Sequence, residues 1–325
     1  MPYGLAMSLF FIVFTWVKPC VASCIFLAFS PLFPVTPATM RGMTAQFIAP
    51  ISPASQLSAA RIAAFAGHHA EQCLIEVVAE TGSTNADLLA RVSGNGRDSG
   101  KDALRAPTLL VALTQTAGRG RAGRAWLTAP AAALTFSLAW PFASPLQALV
   151  GLPLAVGVTI AETLADFGVE VQLKWPNDVL QGGRKLAGIL IETATAPDQQ
   201  LWAVIGIGIN LSIPEKLQEQ IGRRTANLPA AAAQDRDLLL GSLLSGLAQN
   251  MWQFESEGLS AFVERWNRLH AFAGQQVAIL DQGKTLHEGK ALGIDQIGRL
   301  LLQTDGGSNP IAIMAGDISL RPKEG

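Results

Sequence analysis

The chain has 325 residues, 49% of them hydrophobic, with 24 Lys and Arg against 25 Asp and Glu. This length suits two or three domains that each enclose a hydrophobic core. The formal net charge of -1 excludes a bulk field that would attract nucleic acid or an anionic membrane, so basic chemistry must be local. Three cysteines without a disulfide framework or metal-ligand spacing indicate a reducing, cytoplasmic location.

Residues 1–43 differ in composition from the rest of the chain. They contain two apolar runs separated by Lys18 and Pro19, each shorter than the roughly 18 to 20 residues that a membrane helix needs. No positive region precedes the first run, which argues against a signal peptide. Because Met40 and Met43 follow at once, we interpret the segment as an extension from a mis-assigned start, with a membrane anchor as the alternative.

The next elements lead towards a glycine-rich loop. Residues 44–71 are predicted to contain a lead-in helix, over 56–66, and residues 72–79 to form a strand. The stretch "ETGSTNADLLARV" predicts a helix whose capping box uses Thr84 and Asp87. A polar loop over 93–102 and a buried strand over 108–113 complete this part.

Beyond the glycine loop, the pattern predicts a mixed sheet flanked by helices. Strands are expected over 133–140 and 200–213, and a strand, Pro-bounded turn, strand, Gly-Gly hairpin and strand over 169–195. Helices are expected over 149–167, 238–252 and 259–272. From residue 274 short strands alternate with glycine turns, which is typical of a small β-barrel. We therefore predict a catalytic domain over 72–273 and a barrel over 274–325.

The glycine loop itself, "GRGRAG" at residues 118–123, has the G-x-G-x-x-G spacing of dinucleotide-binding folds. Those folds place a helix directly after the glycines and an acidic residue about 20 positions further on. Here Pro130 and a strand pattern follow, and no acidic residue occurs until Glu162. The loop carries three arginines, Arg119, Arg121 and Arg124. Because guanidinium groups pair with phosphate or carboxylate, an anion-binding loop is favoured, with a solvated basic turn as the alternative.

A second constellation lies in "KWPNDVLQGGRKLAGILIE", residues 174–192. It places Lys174, Asn177, Asp178 and Lys185 in one strand–turn–strand unit. Gly188 lies within a strand, where a ligand or another backbone must come close. An ordinary turn would explain "WPND" alone. Two lysines and an Asn-Asp pair around one hairpin predict a binding site instead.

Four blocks together resemble the biotin protein ligase family: "GSTN" (82–85), "TQTAGRGRAGRAW" (114–126), "KWPNDV…RKLAGILIE" (174–192) and "IGIGINL" (205–211). They follow the family's order and spacing, and the resemblance covers residues 72–325. It implies an α+β fold, with a mixed β-sheet flanked by helices as in class II aminoacyl-tRNA synthetases, and a small SH3-like C-terminal β-barrel. It also implies a ligase that joins biotin to ATP as biotinyl-5′-adenylate and then transfers biotin to one lysine of a carrier.

The resemblance also implies roles for individual residues. For biotin it implies Ser83, Thr84, Asn85, Gln115, Arg119, Gly120, Arg121, Lys185 and Gly188. For the nucleotide it implies Arg119, Arg121, Arg124, Trp126, Asn177, Asp178 and Arg321. Lys185 and Arg121 are implied in catalysis, the first by stabilising charge on phosphorus and the second by retaining the reactive adenylate.

Simpler interpretations remain for one of these blocks and for one single residue. The "GSTN" block also fits a plain helix N-cap, and Trp126 could pack under the loop rather than over adenine. Mg²⁺ is expected to be bound through the ATP phosphates, with Asp178 as a candidate ligand and no dedicated metal site. Three positions in the loop region, Thr116, Ala122 and Ala125, depart from residues common in the family, which predicts altered affinity with an unchanged role.

The implied partner is the biotin carboxyl carrier domain of acetyl-CoA carboxylase or of another biotin-dependent carboxylase. A homodimer stays open, and neither nucleic acid nor a membrane is expected as a partner. Residues 1–71 show no helix-turn-helix pattern and no basic recognition helix, which predicts the monofunctional type without a DNA-binding domain. The alternatives are a lipoate or octanoate ligase or transferase on a related sheet, and a biotin-responsive repressor.

Overall fold

A computed structural model of the chain describes residues 57–94, 103–222, 224–281, 284–315 and 318–322. The predicted extension over 1–43 lies outside these residues, as does most of the predicted loop over 93–102. The described residues belong to one compact unit of the chain, Ser52–Gly325.

The described residues form six α-helices: α1 (Ala59–Ala66), α2 (Thr84–Val92), α3 (Leu152–Asp166), α4 (Glu215–Ile221), α5 (Arg236–Glu257) and α6 (Ser260–Arg268). Sequence patterns indicated all of them except the short α4. The predicted capping box of α2 is wrong by one residue, because Ser83 is the N-cap and its hydroxyl accepts from the N–H of Ala86. The hydroxyl of Thr84 instead bonds Ser137, and Asp87 accepts from Thr81.

A seven-stranded sheet carries most of the four sequence blocks that resemble the ligase family. Its strands are β1 (Leu74–Thr81), β2 (Thr108–Gln115), β3 (Ala133–Phe142), β4 (Gln172–Lys174), β5 (Asp178–Gln181), β6 (Arg184–Thr195) and β7 (Leu201–Asn210). Their order is β1-β2-β3-β7-β6-β5-β4. Only the β1–β2 pair is parallel, joined through α2, and the other pairs are antiparallel. This confirms the predicted mixed sheet.

The core of this region is formed by the sheet together with α3 and α5. Helix α3 is apolar on nearly all sides, begins after Gly151 and has proline in its first turn, where no backbone N–H is needed. The stretch Leu146–Asp166 is long and apolar enough to cross a membrane. However, 67% of an apolar 18-residue window within it is buried inside the fold. Inside the core, the side-chain amide of Asn250 on α5 donates to the Thr159 hydroxyl on α3 at 2.7 Å. We therefore assign α3 to the core.

A second, five-stranded antiparallel sheet follows α6. It consists of β8 (Gln276–Asp281), β9 (Lys284–Ile294), β10 (Leu300–Gln303), β11 (Ile311–Ile313) and β12 (Ile318–Pro322), in the order β11-β10-β9-β8-β12. The predicted short strands are confirmed. Closure into a barrel and a domain boundary at residue 274 stay predictions. The indole N–H of Trp175, between β4 and β5, donates to the carbonyl of Gly298, between β9 and β10, at 3.1 Å. This hydrogen bond connects the large sheet with the C-terminal sheet.

Candidate functional site

Two adjoining cavities lie on the face of the large sheet that carries the N-terminus of α2. The inner cavity lies between α2, β2, β3, β6, β7 and the glycine loop and is narrow, with a volume of about 60 Å³. The outer cavity is wider, about 530 Å³, and reaches the C-terminal sheet. Both are lined by the same five residues at their junction: Gly120, Arg121, Trp126, Asn177 and Lys185.

The inner cavity is lined by buried, neutral polar groups. Ser83, Thr84, Asn85 and Ser137 expose 4% or less of their surface. The backbone N–H of Thr84 donates to Gln115 Oε1 at 2.8 Å, and the hydroxyls of Thr84 and Ser137 are 2.7 Å apart. The Ser137 hydroxyl donates to Asn85 Oδ1 at 2.6 Å. Since buried polar groups hold fixed positions when they are hydrogen-bonded, this wall is preorganised.

The polar wall continues to the glycine loop through a carboxylate. Asn85 Nδ2 donates to Glu192 Oε2 at 2.9 Å and lies 3.4 Å from the Leu190 carbonyl. The other Glu192 oxygen is 4.0 Å from Arg119 Nη1. The Arg119 side chain is 54% exposed, so this ion pair adds little to stability.

The floor of the inner cavity consists of backbone at three strand glycines. A Cβ at Gly206 would lie 2.3 Å from Asn85 Oδ1, and one at Gly208 would lie 2.4 Å from the Trp126 ring. A Cβ at Gly188 would meet Lys185 Nζ at 2.9 Å. These glycines are therefore required by close approach of side chains to the sheet. The Trp126 indole N–H is buried here without an acceptor among the described residues, so it can donate to a bound ligand.

The glycine loop forms a tight turn over this floor. The N–H of Gly120 donates to the Arg124 carbonyl at 2.7 Å, and that of Trp126 donates to the Gly118 carbonyl at 2.9 Å. Ala122 adopts the left-handed conformation at φ 54°, which is unfavourable for a residue with a Cβ. Arg121 Nη1 donates to Asn177 Oδ1 at 3.1 Å, which connects the loop with the "WPND" turn.

Lys185 occupies the junction of the two cavities. Its Nζ is 2.5 Å from Asp178 Oδ1 and 5.5 Å from the centre of the Trp126 ring. The side chains of Lys185 and Asp178 are only 17% and 15% exposed. An ammonium group that is largely shielded from water interacts strongly with any anion placed beside it, because screening by water is weak there.

The charged side chains of the outer cavity are mainly cationic. The cations along its lining are Arg121, Arg124, Lys174, Lys185 and Arg321. Arg321 belongs to β12 of the C-terminal sheet, so both sheets contribute to this cavity. Asp178 adds a carboxylate. This excess of positive charge suits a polyphosphate.

Every residue that the sequence assigned to a site lines at least one cavity. The inner cavity contains Ser83, Thr84, Asn85, Gln115, Arg119, Gly120, Arg121, Lys185 and Gly188, and the outer cavity contains Arg121, Arg124, Trp126, Asn177, Asp178 and Arg321. The specific ligand contacts of these residues stay predictions. Sequence reasoning missed Phe136, Ser137, Gln220, Ile221 and Thr225. The alternation in "ALTFSLAW" could have placed Phe136 and Ser137 in a strand but not on the cavity wall.

The side chains around the cavities offer few ligands for a metal ion. The described residues contain no group of three His, Cys, Asp or Glu that could hold a metal ion. The carboxylate of Asp178, the candidate metal ligand, is paired with Lys185, and binding of Mg²⁺ through the nucleotide phosphates stays a prediction.

Comparison with known proteins first identifies a class. Residues 95–210 match the model of the biotin/lipoate A/B protein ligase family, which covers β2 to β7 and the glycine loop. The match begins after α2, so it covers the strands of the inner cavity but not Ser83, Thr84 and Asn85. It leaves open whether the acyl group is biotin or lipoate.

The C-terminal sheet and the full-length relatives then identify the family. Residues 272–321 match the biotin protein ligase C-terminal domain. The biotin--[acetyl-CoA-carboxylase] ligase of Mycobacterium tuberculosis is 35% identical over 251 residues, covering 75% of this chain and 88% of that protein. The bifunctional ligase/repressor BirA of Salmonella typhimurium is 37% identical over 244 residues, covering 74% and 72%. The chain belongs to the biotin protein ligase family.

A solved structure agrees with this assignment. The biotin protein ligase from Aquifex aeolicus in complex with biotin and ATP has a TM-score of 0.62 and 28% identity, covering 77% of this chain and 99% of that one. The biotin acetyl coenzyme A carboxylase synthetase from Helicobacter pylori has a TM-score of 0.51 and 27% identity.

Proposed function

We propose that this chain is an ATP-dependent biotin protein ligase, which forms biotinyl-5′-adenylate and pyrophosphate and then transfers biotin to a lysine of a carboxyl carrier domain. The observation that carries the proposal is the junction at Lys185, where a neutral polar cavity meets a cationic one. A substrate with an uncharged ring and a terminal carboxylate fits the first, and a nucleotide triphosphate fits the second. Their reacting ends would then meet beside Lys185.

In the first half-reaction, the two cavities would bring two anions together. A biotin carboxylate oxygen attacks the α-phosphorus of ATP, the α–β bridging bond breaks, and pyrophosphate leaves with its electron pair. The repulsion between carboxylate and phosphate must be offset by cations already in position. Lys185 is placed for this role and would exchange its Asp178 partner for the substrates. Arg124 and Arg321 would hold the phosphates.

In the second half-reaction, the adenylate must survive until the carrier arrives. The glycine loop covers the inner cavity, and Arg121 anchors it to Asn177. A mixed anhydride hydrolyses in water, so a covering loop would protect it. The carrier lysine then attacks the acyl carbon, AMP leaves, and biotin is joined through an amide bond.

Three further parts of the proposal concern the enzyme's surroundings. Mg²⁺, when bound, would neutralise phosphate charge, with the phosphates and Asp178 as its ligands. The carrier domain of acetyl-CoA carboxylase or of another biotin-dependent carboxylase would be the partner, and a homodimer remains to be tested. We also propose a cytoplasmic location.

The proposal is tested by incorporation of labelled biotin into a carrier domain with ATP and Mg²⁺. We expect the wild type to label one carrier lysine and Arg121→Gly to label bystander lysines as well, because the adenylate escapes. Arg105→Gly, an exposed arginine outside both cavities, is the control and should behave as wild type.

Octanoate and lipoate are offered in parallel to separate the related activities. Transfer of either acid without transfer of biotin would contradict the proposal and favour the lipoate branch of the class. Absence of all three transfers would contradict ligase activity itself.

A further inference from the structure

The hydrogen bonds of the inner cavity form one chain that ends at a carboxylate. The chain runs from Gln115 through Thr84, Ser137 and Asn85 to Glu192. Each of the first four residues can donate and accept, so none of them determines the direction of the chain. A carboxylate only accepts. The directions of the hydrogen bonds among Asn85, Ser137 and Thr84 therefore depend on the acceptors at this end, the Glu192 carboxylate at 2.9 Å and, at the longer distance of 3.4 Å, the Leu190 carbonyl.

The consequence can be followed from one residue to the next. Because Glu192 accepts, Asn85 must turn its NH₂ group towards it and its oxygen towards Ser137. The single Ser137 hydrogen is then used on Asn85 Oδ1, so at the 2.7 Å contact the Thr84 hydroxyl must be the donor. The Thr84 hydroxyl therefore donates to Ser137 in preference to Gln115 Oε1, which is farther away at 3.2 Å. Gln115 Oε1 is held by the Thr84 backbone N–H, which leaves the Gln115 NH₂ group as a donor on the cavity side.

We propose that Glu192 is a positioning residue that sets the donor and acceptor pattern of the inner cavity through Asn85 and Ser137, and so selects a ligand ring with the complementary pattern. The inference rests on the proposed function, in which this cavity binds the ureido ring of biotin. That ring presents one carbonyl oxygen as acceptor and two N–H groups as donors. Reversal of the Asn85 amide would place donors against donors.

The ion pair between Glu192 and Arg119 does not account for this role. Its 4.0 Å separation and the 54% exposure of Arg119 make it a weak contact. Asn85, in contrast, is 3% exposed and bonds Glu192 at 2.9 Å. A buried amide that loses its fixed partner affects the ligand more than a solvated arginine does.

The experiment measures the Kd of biotin and of 2-iminobiotin by calorimetry, on the full chain. 2-Iminobiotin presents N–H donors where biotin presents its carbonyl oxygen. The variants are Glu192→Gln, Asn85→Asp and the double variant. Glu170→Gln, an exposed carboxyl outside both cavities, removes the same charge as a control. ATP affinity and thermal unfolding of each variant identify any general loss of structure.

For Glu192→Gln we expect the Kd of biotin to rise about tenfold, the preference for biotin over 2-iminobiotin to narrow, and ATP affinity to stay unchanged. Asn85→Asp opposes two carboxylates and should bind biotin worse still. In the double variant, Asp accepts from both Ser137 and the new Gln, so the direction of the chain is restored and most of the biotin affinity should return. Glu170→Gln should match the wild type.

The outcomes separate the inference from the proposed function. Biotin affinity and selectivity unchanged in Glu192→Gln would overturn the inference and leave ligase activity standing. A double variant no better than Asn85→Asp would also overturn it, because a merely structural role predicts no rescue. A wild type that does not bind biotin would contradict the proposed function, and the inference with it.

Discussion

The two cavities recognise their ligands by opposite physical means. The inner cavity uses neutral groups that are buried and hydrogen-bonded to one another, on strands and at the start of α2. The outer cavity uses charged side chains, several of them on loops or at the end of β12. Arg124 at its edge is exposed to solvent.

This difference shows how one site can select one substrate by its hydrogen-bonding groups and still accept variation in the position of the other substrate. A fixed network of donors and acceptors discriminates by hydrogen-bond pattern, because a mismatched buried group loses its partner. Cations attract phosphates over a distance and at varied angles, so precise geometry matters less. Lys185 belongs to both cavities and is the position at which disruption should cost most.

The largest effect is expected for Lys185→Ala. Removing a preorganised cation from developing charge should lower kcat by about 10²- to 10³-fold. The Kd of biotin should change far less, because the ring-binding groups are intact. Biotin-dependent exchange of pyrophosphate into ATP measures this step. The exposed Lys216→Ala on α4 is the matched control, and an equal loss there would show a nonspecific effect of charge.

The next effect is expected at the floor of the inner cavity. The methyl group of Gly206→Ala would lie 2.3 Å from Asn85 Oδ1, so Asn85 must move and the network is disturbed. Overpacking typically costs about 1–3 kcal/mol, and a cost of this size in the bound state weakens biotin binding by about five- to 150-fold. Calorimetry with biotin measures it. Gly82→Ala, where the new Cβ meets nothing within 4 Å, should bind normally; weak binding there too would remove the steric explanation.

His270 provides the contrast to the satisfied network, since its two ring nitrogens are buried without a partner among the described residues. Burial lowers the pKa of His270 to about 4. The unfolded chain therefore binds a proton between about pH 6.5 and 4 that the folded chain rejects, and stability falls as pH decreases through this window. The loss at pH 5 is about 2 kcal/mol.

Urea unfolding at pH 7 and pH 5 measures this effect. His270→Phe keeps a ring against Trp266, whose ring centre is 4.8 Å away, and should remove that part of the pH dependence. His287→Gln, at an exposed position, should keep the same pH dependence of stability as the wild type. An identical pH dependence in His270→Phe and the wild type would refute the assignment to His270.

The smallest effect concerns the glycine loop, which we predict to be mobile without ligand. Trypsin should cut after Arg119, Arg121 or Arg124 in the free enzyme. Saturating biotin and ATP should slow this cleavage by about tenfold, because closure over the cavities suppresses the open state. Cleavage after Arg268, which is exposed at the end of α6, is the internal reference. Equal rates at the loop with and without ligands would refute mobility.

Sequence patterns predicted the mixed sheet, and the family resemblance implied the cavity residues that lie within contiguous blocks. Such blocks are local, so strand and turn signals suffice to place them. Ser137 was missed because its role depends on contacts with residues 52 and 53 positions earlier in the chain. Helix α4 was missed because it has only seven residues and buries none of them. The capping error at Thr84 has the same cause, since a distant serine takes its hydroxyl.

The three floor glycines also limit how the substrate range of this enzyme can change. Gly188 and Gly208 are paired across β6 and β7, and Gly206 lies two residues before Gly208 on β7. At these three positions other side chains already lie against peptide backbone, and the strands have no side chain there left to shorten. Substitutions at these positions can only make the cavity shallower. Selection or design for a bulkier acyl ring must therefore act on the opposite wall, at the helix and loop side chains, while the sheet stays as it is.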